Sequence, residues 1–143
     1  MATRNGSAEW QGGLKGGDGQ LEVGDGVFSA AYDFQSRFEE GEHTNPEELI
    51  AAAHAACFSM ALAGNLEGVG HAPDSIRTVA SVELRAGDGG PPIRSIHLRT
   101  EGRVPGIDAD AFREQAEKAK DGCPISRALA AVPEITVEAV LAG

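Results

Sequence analysis

Residues 45–68 read NPEELIAAAHAACFSMALAGNLEG, and the fold turns on this stretch. Asn45 is a favoured N-cap, Pro46 suits the first helical position, and Glu48 falls at the third, where it completes a capping box. The helix announced in this way stops around Gly68 or Gly70. It is apolar nearly all the way round, the pattern of a helix buried on most sides. Little in the chain can cover it, because the aromatic residues are five Phe, one Trp and one Tyr among 143 residues. A chain of this size buries only about two-thirds of its unfolded surface. A dimer is therefore expected. His54, Ser59, Gly64 and Asn65 interrupt the run from Leu49 to Leu66, and a membrane span needs about 20 predominantly apolar residues. The stretch reads as a core helix.

Composition sets the class. A length of 143 residues, with 41% hydrophobic and 24% charged residues, predicts one soluble globular domain over 1–143. Twelve Lys and Arg against 22 Asp and Glu leave a net charge of −10. That charge repels phosphate backbones and anionic lipid, so neither nucleic acid nor membrane is expected as a partner. The opening MATRNGSAEW carries no apolar signal core, and a cytoplasmic location is expected.

On either side of the helix the pattern alternates between strand and helix. Residues 8–14 and 20–23 read as short strands within a glycine-rich stretch. Residues 76–84 and 93–104 read as an antiparallel hairpin around the loop AGDGGPP. Asp108 caps an amphipathic helix that ends at Gly122, residues 124–131 restart as a short helix, and 135–140 alternate as a last strand. The order defines an α+β domain without internal repeats.

Two cysteines carry the chemical possibilities. Cys57 lies in mid-helix, where it reads either as a small hydrophobe among alanines or as a reactive thiol. Cys123-Pro124 places the second sulfur beside a helix N-terminus, where N–H groups favour a thiolate. The two can pair only if the fold brings their Cα atoms within about 7 Å. Among the histidines, His54 alone stands near a cysteine, three residues before Cys57. One such pair falls short of the four ligands of a structural zinc site, so no metal is expected. It leaves a Cys–His nucleophile as a minor alternative, with His54 more simply a packing or supporting residue.

Charge adds a sharper clue. Between Lys15 and Arg77 the one Lys or Arg is Arg37, set among eleven acids. A thiolate needs a cation nearby, and Arg keeps its charge even when buried. Glu47 and Glu48 are the carboxylates available to hold it. At 100° per residue Glu47 lies about 80° from Cys57 around the helix, whereas Glu48 points to the opposite face and is taken by the cap. Glu47 is the better candidate to orient Arg37.

Thr44 to Ile50, running into Ala53-His54-Ala55-Ala56-Cys57-Phe58-Ser59-Met60-Ala61-Leu62, resembles the signature helix of the OsmC/Ohr family. Val104-Pro105-Gly106-Ile107-Asp108 and Lys118-Ala119-Lys120-Asp121-Gly122-Cys123-Pro124-Ile125-Ser126 resemble its second cysteine segment. Ser36-Arg37-Phe38-Glu39 and His54 are closer to the OsmC branch than to the Ohr branch. The resemblance implies an intertwined α+β homodimer, with central helices enclosed by antiparallel sheets and active sites at the subunit interface. It implies a thiol peroxidase acting on organic hydroperoxides, with Cys57 as the peroxidatic and Cys123 as the resolving cysteine. Arg37 would hold the thiolate and Glu47 the arginine. The Cys57–Cys123 disulfide would be recycled by an external dithiol of lipoyl type, without a cofactor. Phe58, Met60 and Phe38 suggest an apolar setting for a bulky organic group. One departure is His43, where the family often has Gly before Thr-Asn-Pro; a demand for positive φ there would shift the Arg37 loop. The alternatives are a redox-responsive or ligand-binding dimer with incidental peroxide chemistry, and a structural dimer with inert thiols.

Overall fold

A computed structural model describes residues 1–143. The chain divides into two compact units, Met1–Leu49 and Ile50–Gly143. The first unit holds an antiparallel meander of β1 (Gly6–Gln11), β2 (Asp18–Val23) and β3 (Phe28–Tyr32), followed by α1 (Phe34–Phe38). Trp10 and Tyr32 pack with ring centroids 5.5 Å apart. The third strand and the five-residue helix have no sequence forecast: FSAAY is short, and FQSRF is too brief for a helical period to register.

Helix α2 (Pro46–Gly68) starts at the Asn45 cap with one half of the capping box, the other half being replaced by a bond between the two side chains. The Glu48 N–H donates to Asn45 Oδ1 at 2.8 Å, and Asn45 Nδ2 donates to Glu48 Oε1 at 3.0 Å. It ends in a Schellman arrangement: the His71 N–H donates to the Leu66 carbonyl and the Gly70 N–H to that of Glu67. Gly70 takes φ +87° there, a conformation glycine adopts without a Cβ penalty.

In the second unit α2 is followed by β4 (Ser75–Leu84), β5 (Ile93–Arg103), α3 (Ala109–Gly122), α4 (Pro124–Ala128) and β6 (Glu134–Leu141). Strands β4 and β5 form the expected hairpin, and β6 joins the far edge of β5 in parallel. The second sheet is thus mixed, not antiparallel throughout as expected. Alternation reads the same in either direction. The physical cause is the connection: a parallel neighbour needs a long crossover, and α3 and α4 supply it.

The core is one cluster built from Phe58, Leu62 and Leu66 of α2, Ile96 and Leu98 of β5, and Phe112, Ala116 and Ala119 of α3. Gly102 of β5 admits the Phe112 ring, for a Cβ on it would lie 2.6 Å from a ring carbon. Only one face of α2 enters this core. His54, Phe58, Leu62 and Leu66, four residues apart, are buried, whereas Ala52, Ala53, Ala56 and Met60 are exposed. The expectation of burial on most sides therefore fails for a single chain. By length and composition α2 could cross a membrane, with mean hydropathy 1.5 over its best window. Its packed His54–Leu66 face marks it as a core helix.

Candidate active site

Two side-chain constellations correspond to the residues singled out in the sequence. The first lies wholly in Met1–Leu49. Asp33 caps α1, accepting from the Ser36 N–H at 2.7 Å, and Asn45 Nδ2 donates to the Ser36 carbonyl at 2.8 Å. Side-chain and backbone hydrogen bonds from Ser36 hold the Asp33 carboxyl below its usual range. α1 is thereby tied to the residue that caps α2. On this support the Arg37 guanidinium meets Glu47 as a fork. Nη2 donates to Oε1 at 3.0 Å, and Nε lies 3.2 and 3.3 Å from the two oxygens. Glu47 is buried, and Arg37 keeps 42% of its side chain exposed and lies over the Phe38 ring. The choice of Glu47 over Glu48, made on helix geometry, matches the observed pair. His43 takes no positive φ, so the position that departs from the family pattern places no strain on this loop.

The second constellation lies in Ile50–Gly143. Cys123 is fully buried and Cys57 partly exposed; both are free thiols. They are neighbours between α2 and the start of α4, 66 residues apart in sequence, close enough for each to shift the titration of the other. Pro124 makes this possible. A residue before proline is driven from the α region, and Cys123 accordingly sits at φ −58°, ψ 128° as both the last cap of α3 and the first of α4. The break belongs to Pro124, not to Gly122, which stays helical.

Burial pushes the Cys57 thiol up, and the neighbouring Cys123 sulfur pushes it further; the Ile125 N–H works the other way. Burial also acts to raise Cys123, but it is outweighed by the Cys57 thiol, by the Ser126 and Ile125 N–H groups and by the Ser126 hydroxyl, which bring it below its ordinary value.

Beneath the sulfurs, His54 Nε2 lies 2.7 Å from Ser126 Oγ, with both residues buried. Ser126 was not singled out in the sequence. Its signal was the matching three-residue spacing of His54 to Cys57 and of Cys123 to Ser126. Burial holds His54 below its ordinary 6.5, so it is neutral. Between that ordinary value and the folded one, the unfolded chain binds a proton that the native chain refuses. Stability is therefore full above about pH 6.5 and declines as the pH falls below it. Melting temperatures taken downward from pH 7 should fall less steeply in His54→Gln than in the parent.

The expected apolar lining is redistributed. Phe58 is sealed in the core and cannot line an open pocket, whereas Met60 and Phe38 are exposed. A cleft of about 310 Å³ in the second unit lies beside Arg77, Val79, His97 and Arg99, and neither cysteine lines it.

The pattern of OsmC-like proteins matches residues 39–138. Peroxiredoxin OsmC of Escherichia coli (strain K12) is 48% identical over 136 residues, 94% of each chain. The organic hydroperoxide resistance protein OhrB of Bacillus subtilis superposes with a TM-score of 0.65 at 26% identity, over 96% of this chain and 98% of its own. The OsmC-like protein of Mycoplasma pneumoniae shares the fold, with a TM-score of 0.76 at 16% identity over 99% of both chains. A thiol pair on an α+β scaffold thus places the molecule among the OsmC-like redox proteins. The chain belongs to the OsmC family, and within it to the OsmC branch.

Proposed function

We infer that this chain is a peroxide-reducing oxidoreductase, a cysteine peroxidase that converts organic hydroperoxides to alcohols. The observation carrying this reading is the meeting of Cys57 and Cys123 as free, neighbouring thiols, in a chain nearly half identical to a named peroxiredoxin. In the reaction the Cys57 thiolate attacks one peroxide oxygen, the O–O bond breaks, and the alcohol departs with a proton. Cys57 is left as a sulfenic acid. Cys123 then displaces the oxygen as water, forming the disulfide, and an external dithiol restores both thiols by exchange.

Burial opposes this chemistry by favouring the neutral Cys57 thiol, so a cation must outweigh it. We assign that cation to Arg37, of the same chain or of a partner, oriented by Glu47. A guanidinium also donates two parallel hydrogen bonds to the oxygens of the breaking bond. Lysine lacks that fork. Arg37→Lys should lower kcat/KM for an alkyl hydroperoxide by about 100-fold, as the loss of one such donor does elsewhere. Parental kinetics in that variant would refute the electrostatic role.

The exposed Ala52, Ala53, Ala56 and Met60 face of α2 supports a homodimer in which a second copy covers this apolar strip. On this reading both units form one OsmC-like domain over 1–143, working in the cytoplasm with an external dithiol of lipoyl type. The test is turnover: with excess dihydrolipoamide, a small amount of protein should consume many equivalents of cumene hydroperoxide. Arrest after one equivalent per chain would favour the redox switch over the enzyme.

A further inference from the structure

We propose that the external dithiol attacks the oxidised protein at the Cys57 sulfur, so that Cys123 departs as the thiolate and the covalent intermediate with the reductant is carried on Cys57. The inference rests on the peroxidase reading, which supplies the Cys57–Cys123 disulfide, and it gives the two sulfurs different roles in the reduction of that bond.

A disulfide offers two sulfurs to a nucleophile, and access and the quality of the leaving thiol decide between them. Access differs sharply here. Cys123 is 0% exposed and belongs to the core cluster together with Phe58 of α2 and Phe112, Ala116 and Ala119 of α3. Its backbone is tied on both sides: the Cys123 N–H donates to the Ala119 carbonyl at 2.9 Å, and the Cys123 carbonyl accepts from the Arg127 N–H at 3.0 Å. A reductant reaches that sulfur only by opening the core between α2, α3 and α4. A second copy of the chain would bury it no less.

Cys57 is placed otherwise. It is partly exposed, and on α2 it lies between the buried His54 and Phe58 and the exposed Ala53 and Ala56, at the border of the packed face. In the proposed first step a hydroperoxide reaches this same sulfur, so the opening that admits the oxidant also admits the reductant.

The leaving group favours the same choice. A thiol of lower pKa departs faster from a disulfide. Cys123 is held below its ordinary value and Cys57 above its own, so attack on Cys57 expels the better leaving group. A thiolate of the dithiol forms an S–S bond to Cys57 as the Cys57–Cys123 bond breaks, and Cys123 departs with the electron pair. The second thiol of the reductant then attacks its own first sulfur, closing the oxidised cyclic disulfide and releasing Cys57 as a thiolate. Two electrons pass to the protein, and the two thiol protons of the reductant are regained by Cys123 and Cys57 through solvent.

The test starts from protein oxidised with diamide, which joins thiols without peroxide. The oxidised chain is treated with mercaptoethanol, quenched in acid after a few seconds and alkylated at low pH with N-ethylmaleimide, and peptides are mapped without reductant. The mercaptoethanol adduct should lie on the Cys57 peptide and the maleimide on the Cys123 peptide, in at least about tenfold excess over the reverse. Single-cysteine variants supply a readout that needs no intermediate to accumulate. Compared per thiolate, Cys123→Ser, which keeps Cys57, should react with a small aromatic disulfide at least about tenfold faster than Cys57→Ser, which keeps Cys123. An adduct mainly on Cys123, or equal reactivity of the two folded variants, would overturn the proposal, and so would failure of diamide to join the two cysteines. A chain that turned over no hydroperoxide yet carried the adduct on Cys57 would sink the peroxidase reading and leave the site of attack standing.

Discussion

Cys57→Ser should reduce the turnover of alkyl hydroperoxides to the background rate, a loss of at least about 1,000-fold. The reason lies in the nucleophile. A thiolate is soft and accepts an oxygen atom from the O–O bond, whereas a serine hydroxyl stays protonated near neutral pH and its oxygen has no accessible higher oxidation state to be carried to. The substitution replaces sulfur by oxygen in a partly exposed position on α2, so the fold should persist. A ferrous–xylenol orange assay of residual hydroperoxide, with dithiol in excess and circular dichroism as the control for folding, measures the effect. Full activity in the folded variant would remove Cys57 from the chemistry.

Cys123→Ser should behave differently. The first step needs only Cys57, so about one equivalent of hydroperoxide should disappear per chain, followed by arrest. Without a resolving thiol the sulfenic acid is open to a second peroxide, and intact mass should show Cys57 gaining one oxygen and then a second. A small external thiol can stand in for Cys123, so the measurement belongs in thiol-free buffer. Because Cys123 is fully buried between α3 and α4, the loss of sulfur volume also costs some packing, and thermal melts should accompany the assay. Continued multiple turnover without thiol would show that Cys123 does not resolve Cys57.

Helices α2 and α3 were legible because their signals are local. Asn45 to Glu48 writes the start of α2 in four letters, and the alternation of Phe112, Ala116 and Ala119 with charged residues marks the buried face of α3. The Arg37–Glu47 pair was legible for another reason: where basic residues are scarce, few partners remain, and helix geometry separates Glu47 from Glu48. Features that depend on distant pairing were hidden. The direction of β6 beside β5 follows from the crossover, not from its own alternation. The hydrogen bond of His54 with Ser126 spans 72 positions, and neither residue alone announces it. The apolar circumference of α2 pointed to burial, but the chain covers one face, and the other is left for a second surface.

Peptide mapping under non-reducing conditions, after one equivalent of an organic hydroperoxide, tests the central claim most directly. The account predicts a single cross-link between the peptides carrying Cys57 and Cys123, formed within each chain as both free thiols disappear and reversed by a dithiol. Hydroperoxide consumed while both thiols remain titratable would contradict it.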